Sequence, residues 1–147
     1  MSKSNWAEPL GLLLLRVGCA WFIFVWAVAK FLAPAQYQFI LKRFDGIQVE
    51  QIIVYGIGIA QIVVCLMVFL GLFRTFSYAA LALIHGFTIT RIWGKLIDPF
   101  EISEKGFPVN RNSSIALGIF LAMAALWLLR NRDEWSVDGW RERRQAE

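Results

Sequence analysis

The chain has 147 residues, 58% of them hydrophobic and 15% aromatic, with a mean hydropathy of +0.54, whereas an ordinary soluble domain carries about 45–50% apolar residues. That composition excludes a soluble globule and a disordered tail protein, and two cysteines are too few for a disulfide-stapled secreted module. The 15 Lys and Arg against 11 Asp and Glu give a net charge of +4, but these cations flank apolar runs instead of forming a stripe, so the excess reads as membrane orientation and not as a nucleic-acid surface.

A helix that crosses a hydrocarbon core of about 30 Å needs about 20 mostly apolar residues. Four stretches meet that need: residues 10–33, 49–72, 75–97 and 113–129. The predicted fold class is all-α, an integral membrane four-helix bundle in one domain, with short loops, one interfacial amphipathic segment and a basic C-terminal tail. The first stretch is too long for a signal-peptide core and has no small-residue cleavage site before Pro34 and Tyr37, so it reads as a retained helix. Pro34 closes it, Gly71 and Arg74 mark a tight turn, Pro99 and Pro108 bracket a loop, and Asn112 or Ser113 is placed to N-cap the last span.

An even number of spans puts both termini on one side. There Lys3, Arg74, Arg130, Arg132, Arg141, Arg143 and Arg144 outnumber Lys42, Arg43, Lys95, Lys105 and Arg111 of the opposite loops, which predicts cytoplasmic termini in an inner membrane. Trp6, Tyr78 and Trp127 then fall at the inner interface, and Trp26, Tyr55 and Trp93 at the outer one. Between the first two spans Tyr37, Ile40, Leu41 and Phe44 recur at i, i+3, i+4 and i+7 beside Gln38, Lys42 and Arg43, the pattern of a short helix lying in the outer interface. After the last span Trp135, Val137 and Trp140 mix with Arg141, Arg143 and Arg144. This tail reads either as a solvated segment that orients the protein or as one resting on anionic lipid or a cytoplasmic partner.

The acids all lie outside the spans or, like Glu50, at their edge, while Arg16, Lys30 and Arg91 lie within, joined by His85, Gln61 and Gln51. A charge near the bilayer centre costs about 2.5–3.5 kcal/mol. With no carboxylate expected inside the bundle, the partners open to these cations are lipid phosphates, backbone carbonyls, a bound anion or the carbonyl oxygens of a quinone. Lys30 and Arg91 are close enough to the outer end of their spans to reach headgroups, and Arg16 is more stretched. His85 and Gln61 fall near mid-span and need partners inside the protein, either each other's helices or a ligand. Arg16 and Lys30, about four turns apart, project from nearly one side of their helix. Arg91 and Lys95 share a face and repel unless an anion or a loop acid such as Asp98 or Glu101 sits near them. Gly56, Gly58 and Ala60 on the second span, with Ala79, Ala80 and Ala82 on the third, are small enough for close helix approach. Trp21, Phe22, Phe24 and Trp26 make the first span bulky and suited to lipid, a partner subunit or a flat ring.

Cys19 and Cys65 are isolated core thiols with no C-x-x-C, and His85 is the one histidine, which excludes bis-histidine haem within this chain. No metal-ligand spacing, phosphate loop or nucleophile elbow is present. The run Leu13-Leu14-Leu15-Arg16, the pair Lys30-Phe31, and residues 66–70 followed by Gly71-Leu72-Phe73-Arg74-Thr75 resemble the DoxX/DoxD-like family of small four-helix membrane proteins. Ala20 and Ala27 stand where that family usually has glycine, and Gln61 where its second helix commonly carries an acid. The resemblance implies a membrane subunit near quinone chemistry, with quinone as the one cofactor in view and Arg16, Lys30, Gln61, His85 and Arg91 as the positions to contact its headgroup. Three functions stay open: an accessory subunit of a larger membrane redox complex, or of a homo-oligomer, that docks through Trp21, Trp26, Trp135, Trp140 and the basic tail; a quinone-binding oxidoreductase subunit; and a small transporter.

Overall fold

The computed structural model describes residues 6–146, so Lys3 lies outside the described residues. Among these there are seven α-helices and no strand. Helix α1 (Ala7–Leu32) stops at Ala33, which leaves the helical region as a following proline requires, and Pro34 then opens α2 (Pro34–Asp45) at its first position. Gly46 ends α2 in the left-handed region at φ +66°. Helix α3 (Gln51–Leu70) closes the same way on Gly71, with the Leu72 N–H reaching back to the Met67 carbonyl at 2.9 Å. Helix α4 (Arg74–Arg91) follows directly.

The third expected span, residues 75–97, is not one helix. It breaks at Ile92 between α4 and the short α5 (Trp93–Ile97), where the Arg91 side chain is drawn toward α2 and Gly94 weakens the helix beyond. Helix α6 (Ser113–Leu128) begins without the expected side-chain cap from Asn112 or Ser113. Its first N–H groups are taken by the turn before it instead, Ser113 bonding to Asn110 O at 2.9 Å and Ser114 to Arg111 O at 3.2 Å. A 3-10 turn (Arg130–Arg132) leads to α7 (Val137–Gln145), N-capped by the Ser136 hydroxyl, which accepts from the Gly139 N–H at 3.0 Å.

Helix α1 packs on α3, α3 on α4, α4 on α6 and α6 back on α1, so four helices close around one core. Each contributes a stripe at three- and four-residue spacing: Leu12, Arg16, Cys19, Ile23, Ala27 and Lys30 on α1, Val54, Gly58, Cys65 and Val68 on α3, Tyr78, Leu81, His85 and Ile89 on α4, Met123 and Leu126 on α6. The outer surface is apolar too, with Leu14, Val17, Trp21 and Val25 of α1 and Ile52, Ile59, Val63 and Leu66 of α3 exposed. Two helices, α1 and α3, are long and apolar enough to cross a membrane, and α6 is a shorter apolar helix.

Gly58 sets the spacing of α1 and α3. A Cβ there would come within 2.7 Å of the Phe31 ring and 3.3 Å of the Ala27 carbonyl. The close approach therefore joins α1 to α3 and not, as the small residues of the sequence suggest, α3 to α4; Gly56 faces open space and Ala60 is exposed. The register also fixes the depth of Arg16, whose guanidinium lies beside Gly71. Residues 7–15, about 13 Å of helix, run past the α3–α4 turn and flank the C-terminal segment, so Trp6 and Pro9 line a hollow with Asn131, Arg132, Glu134 and Trp135. We call this the tail end of the bundle and the opposite one the loop end.

Candidate functional site

At the tail end the C-terminal segment supplies a carboxylate to the helix core. The C-terminal segment returns and inserts Asp133, wholly buried, against buried Arg16, with Arg16 Nη1 2.7 Å from Asp133 Oδ2. The same oxygen accepts the Tyr78 hydroxyl at 2.5 Å, and Arg16 Nη2 donates to the Trp135 carbonyl at 3.1 Å. Arg74, 5% exposed, ties the backbone of this segment to α4 by donating to the carbonyls of Arg130 at 2.8 Å and Asp133 at 3.1 Å, and it pairs with Glu142. The Ser136 hydroxyl donates to the Asp133 carbonyl, and Asp138 accepts the Arg74 N–H at 2.9 Å. Arg16 Nε and Asp133 Oδ1 stay without partners, so the pair is joined through one oxygen.

Two expectations are corrected here. The bundle does hold a carboxylate, and Arg16 pairs with it. The tail is not a solvated segment: Asp133, Ser136 and Gly139 are buried. The physical reason is the cost of an unpaired buried guanidinium, which a carboxylate in hydrogen-bonding contact offsets. Tyr78, expected at the membrane interface, is wholly buried for the same reason. Beyond the latch, Trp135 and Trp140 are about half exposed and Arg141, Arg143 and Arg144 lie on the surface. Arg144 stacks on Trp140 at 3.9 Å, Arg143 donates to the Glu134 carbonyl at 2.7 Å and Arg141 lies 3.9 Å from Asp138.

At the loop end Arg91 pairs with Asp45, the last residue of α2, at 2.5 Å, and stacks on Phe87 at 3.7 Å. Its partner is thus neither Asp98 nor Glu101; Glu101 instead accepts from Asn110, buried in the α5–α6 loop. Lys30 does not extend outward along α1. It is 7% exposed and turns back along α1, donating to the Trp26 carbonyl one turn earlier at 3.2 Å, with its ammonium 4.2 Å from the centre of the Tyr37 ring. Side chains on a helix lean toward its N-terminus, which points a lysine near the C-terminus of α1 into the bundle. Tyr37 on α2 covers it and donates to the same carbonyl at 3.1 Å, and burial pushes the Tyr37 phenol up, which keeps it a donor.

Between the two ends His85 Nε2 lies 2.9 Å from the Ala116 carbonyl, linking α4 to α6, with the Phe22 ring edge-on at 5.2 Å. Gln61 occupies the inward stripe of α3, and its buried Oε1 has no partner. Gln51, at the start of α3, is exposed and donates to the Tyr55 hydroxyl. The five nominated residues therefore do not converge on one site: Arg16 is at the tail end, Arg91 and Lys30 near the loop end, His85 and Gln61 between. Trp21 and Trp26 of α1 are exposed on the outside of the bundle. Cys19 and Cys65 are free, buried members of the same apolar core as Leu81, Met123 and Leu126.

Sequence reasoning missed Asp45 at the loop end and, at the tail end, Asp133. Two signals for it were present: the segment Ser136-Val137-Asp138-Gly139 reads as an N-capped helix start, and Trp135, Val137 and Trp140 need cover on one side. Set against family models, curated proteins and solved structures, the chain matches none.

Proposed function

We propose that this chain is a four-span inner-membrane bundle with both termini in the cytoplasm, and that it serves as an accessory subunit of a quinone-linked redox complex. It acts by packing its apolar outer surface against partner subunits. The redox setting follows from the DoxX/DoxD-like resemblance alone. One observation carries the accessory reading over a catalytic one: buried Arg16 and half-buried Arg91 are neutralised from within the chain, by Asp133 and Asp45, while the broad face of Trp21, Val17, Val25 and Trp26 is left exposed. A surface of that kind is met by lipid or by another helix.

A second reading, a quinone-binding subunit, is favoured by a different observation. Gln61 Oε1 is buried and unpartnered, and Lys30 is a buried ammonium with one carbonyl and one aromatic ring for company. A ligand hydroxyl would satisfy Gln61, and a ligand carbonyl would satisfy Lys30. The absence of any convergence with Arg16 and Arg91 makes this site smaller than the five-residue seam.

Mass spectrometry of polypeptides and small molecules on the tagged chain, purified from its native membrane in mild detergent, separates these readings. The accessory reading predicts a stoichiometric partner carrying redox cofactors. A lone protein holding one quinone, lost on Gln61→Ala, establishes the second reading instead. Recovery with lipid alone contradicts both.

A further inference from the structure

On the outside of the bundle the packed helices α4 and α6 leave a surface groove of about 640 Å³ over their seam, lined by Ala79, Ala82 and Gly86 of α4 and by Phe120, Ala124 and Trp127 of α6. It runs from Ala79 to Thr90, about 16 Å along the outside of α4. Its walls are apolar, and its tail end is closed by a polar group of definite charge. There the Arg130 guanidinium stacks on the Trp127 ring at 4.6 Å, donates to the Trp127 carbonyl at 2.9 Å and reaches Thr75 Oγ1 at 3.4 Å, while the Trp127 indole N–H donates to the Thr75 carbonyl at 3.1 Å.

Arg130 is unlike the buried arginines. Arg16, Arg74 and Arg91 each have a carboxylate within 4 Å, and among the described residues Arg130 has none. Two of its five N–H donors are engaged. Half-buried and stacked on Trp127, which lines the end of the groove, it pairs an aromatic with an arginine as at a membrane interface. Planar, multidentate recognition of phosphate is what a guanidinium does best.

We infer that the tail-end part of the α4–α6 groove is a binding site for one anionic phospholipid, with an acyl chain laid along Ala79, Ala82 and Ala124 and the phosphate held by Arg130. The charge selects a headgroup with a net negative charge over a zwitterion. The inference rests on the reading of the chain as a membrane bundle.

The full chain in mild detergent is titrated with phosphatidylglycerol, with phosphatidylcholine of the same acyl chains and with inorganic phosphate, and bound lipid is counted by native mass spectrometry. Phosphatidylglycerol is expected to be retained one per chain and about five- to tenfold more tightly than phosphatidylcholine, the effect of one cation at an anionic headgroup. Arg130→Gln is expected to erase that preference and Arg130→Lys to keep part of it. Ala82→Phe, which fills the slot, is expected to abolish retention of both lipids while the circular dichroism of the chain stays helical. Equal retention of the two lipids, an unchanged preference in Arg130→Gln, or equal protection by inorganic phosphate overturns the site. Alkaline carbonate extraction of the same cells keeps the two failures apart: a chain that stays in the membrane without lipid preference refutes the site alone, and a chain released as soluble protein refutes the membrane reading with it.

Discussion

Asp133→Ala is expected to destabilise the chain by about 3–5 kcal/mol, the usual cost of stranding one member of a buried ion pair. The carboxylate is wholly buried and Arg16 is 3% exposed, so water cannot take the place of the lost partner. The effect exceeds that of one contact because the same Oδ2 also receives the Tyr78 hydroxyl. Tyr78→Phe, which removes one hydroxyl and leaves the ion pair, is expected to cost about 1 kcal/mol. Arg16→Met combined with Asp133→Leu is expected to recover most of the loss, since a buried pair replaced by apolar groups of similar volume is often neutral. Denaturant unfolding of the purified chain in detergent reads all three. Proteolysis offers a second, local readout: the bond after Arg132 becomes accessible in Asp133→Ala while the helical core stays intact. A loss below about 1 kcal/mol for Asp133→Ala would mean that the pair is solvated and the latch does not hold.

Gly71→Val is expected to be of similar severity, about 2–4 kcal/mol, by two mechanisms that act at one place. The residue sits at φ +66°, where a β-branched side chain is strained. A Cβ there would also meet the Ser136 side chain, come within 3.0 Å of the Ser136 Cα and lie 2.6 Å from Arg16 Nη1. The Ser136 backbone cannot retreat, because the Gly71 carbonyl accepts the Asp138 N–H at 3.2 Å and the Ser136 hydroxyl caps α7. Gly46→Val makes the control. Gly46 has the same φ, but a Cβ there meets nothing within 4 Å, so only the backbone strain of about 1 kcal/mol is expected. Thermal unfolding of the two variants in the same detergent measures the difference. Equal losses would mean that the C-terminal segment does not press on the α3–α4 turn.

The sequence carries the helical class because its apolar residues recur at the spacing of helices, and the stops at Pro34, Gly46 and Gly71 are local chemistry that needs no tertiary information. His85 is similar: a lone histidine at mid-helix calls for an interhelical bond, and the Ala116 carbonyl supplies one. What the sequence hides is pairing between distant residues. Asp133 follows a cluster of arginines in a stretch that by composition belongs to solvent, and only the return of the chain under α1 brings it to Arg16. Asp45 is equally silent, one acid at the end of a short helix. Arg16 looks deep in the first span because span length is counted from the apolar run, whereas the register set by Gly58 and Gly71 makes it level with the end of α3. Lys30 misleads in the opposite sense, close to a span end but turned inward by the lean of helical side chains. The break at Ile92 is hidden too, since residues 75–97 stay apolar across it.

The proposed topology is tested most directly by labelling single cysteines from one side of the membrane. Cys19 and Cys65 are buried and serve as the unreactive background. Gln48→Cys and Lys105→Cys lie on exposed positions of the loop end, and Asn131→Cys and Gln145→Cys on exposed positions of the tail end. With a membrane-impermeant maleimide on intact cells, the first two are expected to react at once and the second two only after the membrane is opened. Labelling of Lys105→Cys and Gln145→Cys from the same side, or of all four alike, would contradict the four-span bundle.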